Sequence, residues 1–390
     1  MKTKPEFKTF CDTLPDLFTF ESGRAVVSRA DWAERRKELR AILERVCYGV
    51  MPPTPSERPR VQRTDSGVGV MVASIRVAGL MHYRTQPFSD RDFGINFEFY
   101  TPTGENAREQ YPVIICGDGC WQRVTPEFVQ LVTSRGYALC VFNRCDIVPD
   151  TNAKTQQPGG TMMPARNFPV QVRHPDCDFG AIAGWAWGFS RVMDALEALA
   201  CVDVGRVAVC GHSRGGKASL LAGAFDSRFA AVFTNGSGSG GSGSWMFQAT
   251  GAEPLGTIVT SFPTWFGSTF SAYADQESTL PFDSHFLKAL CAPRPLLSSE
   301  ALDDLWANPA GACITHAAAR EVYRFLGCPD SFAGMHFRNG GHGHLLSDWT
   351  AMLDYCDACL YGKSLPWDPL YVPYDGLPSP FDKKPSGNRG

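Results

Sequence analysis

No stretch of about 18 apolar residues occurs in this chain, so no helix that spans a membrane is expected. No basic run occurs either, and the 390 residues carry a formal net charge of −3. That balance leaves no electrostatic footprint for a nucleic-acid partner. The opening residues, Met1-Lys-Thr-Lys-Pro-Glu-Phe-Lys8, lack the apolar segment of a secretory signal. Location is therefore left open between a chain that stays inside the cell and an exported one whose signal has been removed. Metal-ligand spacing is also missing. Cys356 and Cys359 form a lone Cys-x-x-Cys without a second Cys or His pair, so helix packing is expected there, and neither metal nor cofactor. The 14 cysteines are spread along the chain, and Cys116, Cys140 and Cys210 sit in apolar runs. Such thiols read as free and buried, which fits a reducing compartment better than a disulfide framework.

What is present is ordinary globular composition, 44% hydrophobic and 20% charged, with ample length for a large core. One catalytic domain over residues 1–390 is expected, with residues 1–60 as a leader packed on it and 363–390 as a tail. The leader holds a helical pattern from Trp32 to Val46, ended by Gly49-Val-Met-Pro-Pro53. Residues 66–102 read as strands, for example Val68–Val77 and Ile95–Tyr100. Beyond them the pattern alternates. Strands are expected at Pro112–Cys116, Tyr137–Phe142, Arg206–Cys210, Ala230–Thr234 and Arg294–Ser299. Helices are expected at Phe128–Ser134, Ala181–Ala200, Lys217–Phe225, Cys313–Phe325 and Leu346–Leu360. A long Pro-, Gly- and Asn-rich loop covers about 145–178. This alternation predicts a mostly parallel central sheet in a three-layer αβα sandwich. Residues 236–244, Gly-Ser-Gly-Ser-Gly-Gly-Ser-Gly-Ser, have linker composition. They directly follow a buried strand, and a loop at the carboxyl end of a sheet strand is where such folds place their sites.

Gly211-His-Ser-Arg-Gly215 matches G-x-S-x-G and lies between an apolar strand and a helical run. That context makes it a nucleophile elbow, a strained turn that lifts the hydroxyl of Ser213 clear of the backbone. The N–H of Arg214, at the helix start, would face the oxyanion. Eight histidines are candidates for the base. His212 adjoins the serine and points the wrong way, while His285 and His316 fall in helical runs and read as packing. His342 lies in a loop after the last strand and before the final helix, the place where this chain order puts the base; His344 is the alternative. For the acid, Glu300, Asp303 and Asp304 all qualify, and at most one can hold the imidazole.

Residues 211–217, Gly-His-Ser-Arg-Gly-Gly-Lys, extend beyond the elbow and resemble the signature of the glucuronoyl esterases, carbohydrate esterase family fifteen, in its bacterial branch. Phe179–Gly188, Ser261–Phe266, Leu280–His285, Ala292–Leu297, Trp306–Pro309 and Asp348-Trp349 are similar to that family too, and the likeness runs from about residue 22 to residue 362. The resemblance implies an α/β-hydrolase fold. It also implies cleavage of esters between the 4-O-methyl-glucuronic acid of xylan and alcohols of lignin, without a metal. Ser213 would attack the ester carbonyl, His342 would move the proton, and Arg214 would hold the oxyanion with side chain and backbone. Lys217, Glu253, Trp306 and Gln248 would contact the sugar. Many relatives carry the acid as Glu in a Glu-Ser-Gly-x-Gly-Gly stretch; here that position is Gly236. Others place the acid in the later loop before the tryptophan, which points to Asp304, with Asp303 and Glu300 as fallbacks. A glucuronate ester or glucuronoxylan fragment is the expected substrate, and a monomer the expected state. Two other readings compete: an acyl hydrolase for small esters on the same scaffold, and an inactive carbohydrate-binding relative.

Overall fold

Along the central strands, successive apolar side chains serve opposite faces, as the two-residue repeat of a strand requires. Val113, Ile115, Val207, Val209 and Val232 join one core cluster, while Ile114, Cys116, Ala208, Cys210, Ala231 and Phe233 join another. A sheet apolar on both faces must be covered on both, and that fixes the layers. The computed structural model describes residues 3–56, 58–64, 71–72, 75–76, 79–85, 94–120, 124–151, 153 and 169–381.

The main sheet has nine strands: β1 (Val61–Arg63), β2 (Leu80–Thr85), β3 (Asn96–Tyr100), β4 (Tyr111–Cys116), β5 (Ala138–Phe142), β6 (Val202–Cys210), β7 (Ala231–Asn235), β8 (Leu296–Ala301) and β9 (Ala333–Arg338). Their order is β9-β8-β7-β6-β4-β5-β3-β2-β1. From β9 to β5 every pairing is parallel; the three strands at the other edge are antiparallel. Apolar side chains of α1 (Arg29–Leu43), α3 (Ala181–Leu196), α4 (Arg214–Phe225), α5 (His285–Cys291) and α6 (Pro309–Phe325) share one core cluster. Those of α2 (Pro126–Ser134) and α7 (Leu346–Tyr361) share the other. The expected mostly parallel three-layer arrangement is present. No helix among the described residues is long and apolar enough to cross a membrane. All 14 cysteines are free, and Cys356 is buried on α7.

Several boundaries differ from expectation for local reasons. α6 starts at Pro309 rather than Cys313 because Asn308, in a left-handed conformation, caps it through Oδ1 to the Gly311 N–H at 3.0 Å. Its first turn, Pro-Ala-Gly-Ala, is wholly buried and so shows no helical periodicity. β8 begins later, at Leu296, and continues through Glu300 to Ala301. Of the expected strand Val68–Val77, only the short pairing Met71–Val72 with Ile75–Arg76 falls in the described residues. Residues 152 and 154–168 of the long loop lie outside them.

The leader packs on the sheet's helical layer. Phe7–Thr9 pairs antiparallel with Phe247–Ala249. Ser28 and Asp31 exchange capping bonds at the start of α1. His285, at the start of α5, places Nε2 2.8 Å from the Pro15 carbonyl and is fully buried. Burial drives its pKa down to about 4, from an ordinary 6.5. Between those values the unfolded imidazole binds a proton that the folded one refuses, so stability falls as pH drops from 6.5 to 4. The loss for this group is on the order of 3 kcal/mol. Urea titrations at pH 7 and pH 4.5 should therefore show a smaller pH-dependent loss for His285→Gln than for the parent. Equal losses would show that His285 is not among the groups responsible.

Candidate active site

The strand β6 ends at Cys210 and α4 begins at Arg214, so the chain reverses over three residues. Ser213 sits at this turn with φ 56° and ψ −121°, a strained conformation for a residue with a Cβ. Three contacts hold it there. Its N–H donates to the Asn235 carbonyl at 2.9 Å, the Gly215 N–H to the His212 carbonyl at 2.8 Å, and the His212 N–H to Asp118 Oδ2 at 2.8 Å. A Cβ at Gly211 would collide with the Gly215 carbonyl, and one at Gly215 with the Asp118 carboxylate. Asp118 is itself buried in an ion pair with Arg144. It follows β4, 94 residues before His212, and was not singled out from sequence.

β7, β8 and β9 deliver the remaining groups from adjacent strand ends. His342 Nδ1 lies 2.6 Å from Asp304 Oδ2, with the imidazole 44% exposed and the carboxylate 6%. The other two acid candidates are engaged elsewhere. Asp303 Oδ2 accepts the Gly340 N–H at 2.9 Å. Glu300, inside β8, is fully buried, and its Oε1 accepts from Ser242 at 2.6 Å and Ser298 at 2.8 Å. Burial raises its pKa to about 7. His344 stacks on His212 and Trp349. His212 lies 4.5 Å from the His342 ring by centroids, and its Nδ1 is 2.6 Å from Asn235 Oδ1.

Gly236 joins the elbow to this pair. Its N–H donates to the Ser299 carbonyl at 2.9 Å, and its φ is +48°. A Cβ here would stand 3.4 Å from Asp304 Oδ2 and 3.6 Å from His342 Nδ1. The glycine thus leaves just enough room for the Asp304 carboxylate, which arrives from the end of β8.

Arg214 places Nη1 3.0 Å from Asp150 Oδ2, and its guanidinium lies over Trp265 at 4.8 Å and Phe262 at 5.1 Å. Trp265 also donates to Asp150, at 3.1 Å. Asp150, another group not foreseen, therefore orients the arginine. Lys217 is 4% exposed, and its ammonium donates to the Ser237 carbonyl at 2.7 Å and to the Ser239 carbonyl. Burial lowers its pKa to about 8, against the pull of Glu253. Two of its three donors therefore hold the Gly-Ser run. Glu253 is 7% exposed, accepts a side-chain bond from Trp306, and lies within the fields of Lys217, Arg214 and His342. Burial raises its pKa. Trp306 is 52% exposed beside it. Arg214, Lys217, Glu253, Trp306, His342 and Asp304 thus share one region. Gln248 is buried on a short strand, in register with Lys8. Among the described residues, no three His, Cys, Asp or Glu side chains gather as for a metal ion.

A family model described as glucuronyl esterase, fungi, matches residues 89–327. The chain belongs to the glucuronoyl esterases of carbohydrate esterase family 15. It is 32% identical over 338 residues to 4-O-methyl-glucuronoyl methylesterase 1 of Wolfiporia cocos, covering 85% of this chain and 76% of that protein. The solved family 15 glucuronoyl esterase of Caldicellulosiruptor kristjansonii superposes with a TM-score of 0.77 at 29% identity, covering 97% of this chain and 98% of that one. That of Solibacter usitatus gives 0.72 at 28% identity, covering 90% and 99%. Similarity thus extends to fungal and bacterial glucuronoyl esterases alike, and it supports the family without the bacterial branch. The chain is a carboxylic ester hydrolase of the α/β-hydrolase fold.

The geometry at Gly236 has a graded consequence. Gly236→Ala should cost about 1 kcal/mol for a left-handed β-carbon and leave kcat within about threefold, because the methyl group meets only van der Waals contacts. Gly236→Val should push Asp304 and His342 apart and lower kcat by more than about tenfold. Denaturant unfolding and steady-state kinetics read both; a valine variant with parental kcat would show that the pair does not depend on this gap.

Proposed function

We propose that this esterase hydrolyses esters of 4-O-methyl-D-glucuronic acid, the bond type that joins glucuronoxylan to lignin alcohols, through an acyl-enzyme on Ser213. The observation that carries the reading is the His342–Asp304 hydrogen bond beside the strained serine turn. Ser213 Oγ attacks the C6 carbonyl of the uronate ester while His342 Nε2 takes its proton. Asp304 stays ionised, fixes the tautomer through Nδ1 and stabilises the imidazolium. The tetrahedral oxyanion faces the Arg214 N–H and its guanidinium, which Asp150 and the Trp265 ring hold ready before substrate arrives. Collapse breaks the C–O bond to the alcohol, and His342 returns the proton to that oxygen. Water then repeats the sequence in reverse and releases the free uronic acid.

Buried donors and acceptors beside the serine suit a hydroxyl-rich ring better than a simple acyl chain, because leaving them unpaired in a smaller substrate's complex is costly. Glu253 would accept from sugar hydroxyls, the third donor of Lys217 would reach one, and Trp306 would stack on the ring face. Gln248, buried on the strand that pairs with Phe7–Thr9, is a further candidate for a sugar contact. Leader and tail are read as parts of one catalytic unit that acts as a monomer on glucuronoxylan fragments.

Turnover of benzyl glucuronate against p-nitrophenyl acetate tests the substrate class: kcat/KM should favour the glucuronate, and a strong preference for acetate defeats the reading. For the acid, Asp304→Ala should lower kcat by roughly 10³–10⁴-fold. Glu300→Ala should instead cost about 1–3 kcal/mol of stability, from Ser242 and Ser298 left unpaired, with a far smaller change in kcat. The opposite ranking in kcat would transfer the role to Glu300.

A further inference from the structure

The base rides on a loop that has little reason to hold still. Residues 339–345, Asn-Gly-Gly-His-Gly-His-Leu, contain three glycines, and a Cβ at Gly341 would meet nothing within 4 Å. Such a segment is free to sample many backbone states. Yet His342 must keep one orientation against Asp304. Arg338, the last residue of β9, lies directly before this loop. Its Nε lies 3.0 and 2.9 Å from the two oxygens of Asp348, a pair 10% and 1% exposed. Its Nη2 donates to the Gly341 carbonyl at 3.1 Å and to the Gly343 carbonyl at 2.7 Å, the carbonyls of the two residues that flank His342. Its Nη1 donates to the Asn339 carbonyl at 3.1 Å. Asp348 completes the loop from the other end by accepting the Leu345 N–H at 2.8 Å.

We infer that Arg338, anchored by Asp348, is a positioning residue that sets the orientation of His342 by gripping the carbonyls of the glycines before and after it. The inference rests on the reading of Ser213 and His342 as nucleophile and base. The planar guanidinium suits the task because its donors leave in fixed directions, two toward the loop and one toward the anchor; a lysine offers one point charge. Asp303 secures the same loop only at Gly340, upstream of the base. The free energy of the clamp therefore bears on the angle of the imidazole and not on the sugar pocket, which is built from β7, α4 and the segment around Glu253. A fault in it should act on kcat and spare KM.

The experiment compares Arg338→Ala and Arg338→Lys with the parent. Two readouts are used: steady-state hydrolysis of benzyl glucuronate, and the labelling rate of Ser213 by a fluorophosphonate, which needs the base and no sugar. Arg338→Ala should lower kcat roughly 10- to 100-fold with KM within about twofold, the scale expected for a catalytic group misplaced by about 1 Å. Labelling should slow in proportion. Guanidinium chloride at low millimolar concentration, well below denaturing levels, should restore part of the labelling rate of the alanine variant, and Arg338→Lys should recover part of kcat. Parental kcat in a folded alanine variant overturns the inference. So does a loss shared with KM, or one that neither lysine nor guanidinium recovers, because each marks a residue that only supports the fold. If Arg338→Ala does not fold, Arg338→Lys decides alone: a reduced kcat at unchanged KM supports the clamp, and parental kinetics overturn it. A parent that labels but leaves the glucuronate ester intact would sink the substrate reading and leave the clamp to be judged by labelling. A parent that does not label removes both.

Discussion

Nine consecutive Gly and Ser residues, 236–244, run through the interior at the carboxyl edge of the sheet, and their backbone polar groups must be satisfied without water. The rest of the site is arranged around that requirement. Lys217 reaches the carbonyls of Ser237 and Ser239, Tyr48 that of Gly240, Thr315 that of Ser242, Ser284 that of Gly243 and Asn308 that of Ser244. Buried carboxylates take the hydroxyls: Glu300 that of Ser242 and Asp283 that of Ser244. A single loop so draws in α4, α5, α6 and the leader, and each partner is a polar or charged group that burial alone would disfavour. A segment with small side chains can pass this close to His212, His342 and Asp304 at once.

The elbow could be read from sequence because its pattern is local: strand, tight turn, helix. The order of serine, acid and base along such folds pointed to His342, whose Nδ1 lies 2.6 Å from Asp304 Oδ2. The acid was harder. Glu300, Asp303 and Asp304 fall within five residues, and their separation depends on where β8 stops. The strand runs on past Ser299, which turns Glu300 beneath the sheet toward Ser242, while the bend after Ala301 aims Asp304 at His342. Strand ends are set by pairing with β7 and β9, which a single sequence does not reveal. Asp118, Asp150 and Arg338 escaped for a related reason. Their partners are tertiary, as Asp118 with His212 and Asp150 with Arg214 illustrate, or hidden in backbone carbonyls that carry no signature. The Gly-Ser run misleads by composition, since the same residues that make a linker flexible in water let a buried loop pack tightly.

Charge is used differently in the interior than at the rim. Lys217 and Glu253 sit buried beside each other, with the lysine pKa lowered to about 8 and the glutamate raised. Each is displaced toward neutrality, which makes both more readily reversible proton and hydrogen-bond partners than their exposed counterparts. The His342 imidazole, by contrast, stands nearly half in solvent.

Asp304 and His342 follow the ends of neighbouring parallel strands, in register from Leu296 with Ala333 to Ala301 with Arg338, and β9 is the outermost strand on that side. Its outer edge is capped by the C-terminal segment, where the Met335 N–H donates to the Pro369 carbonyl at 2.9 Å. Edge strands are the part of a sheet most prone to fray or to recruit a foreign strand. The polypeptide beyond the final helix therefore serves as a seam along the border next to the loop that carries His342.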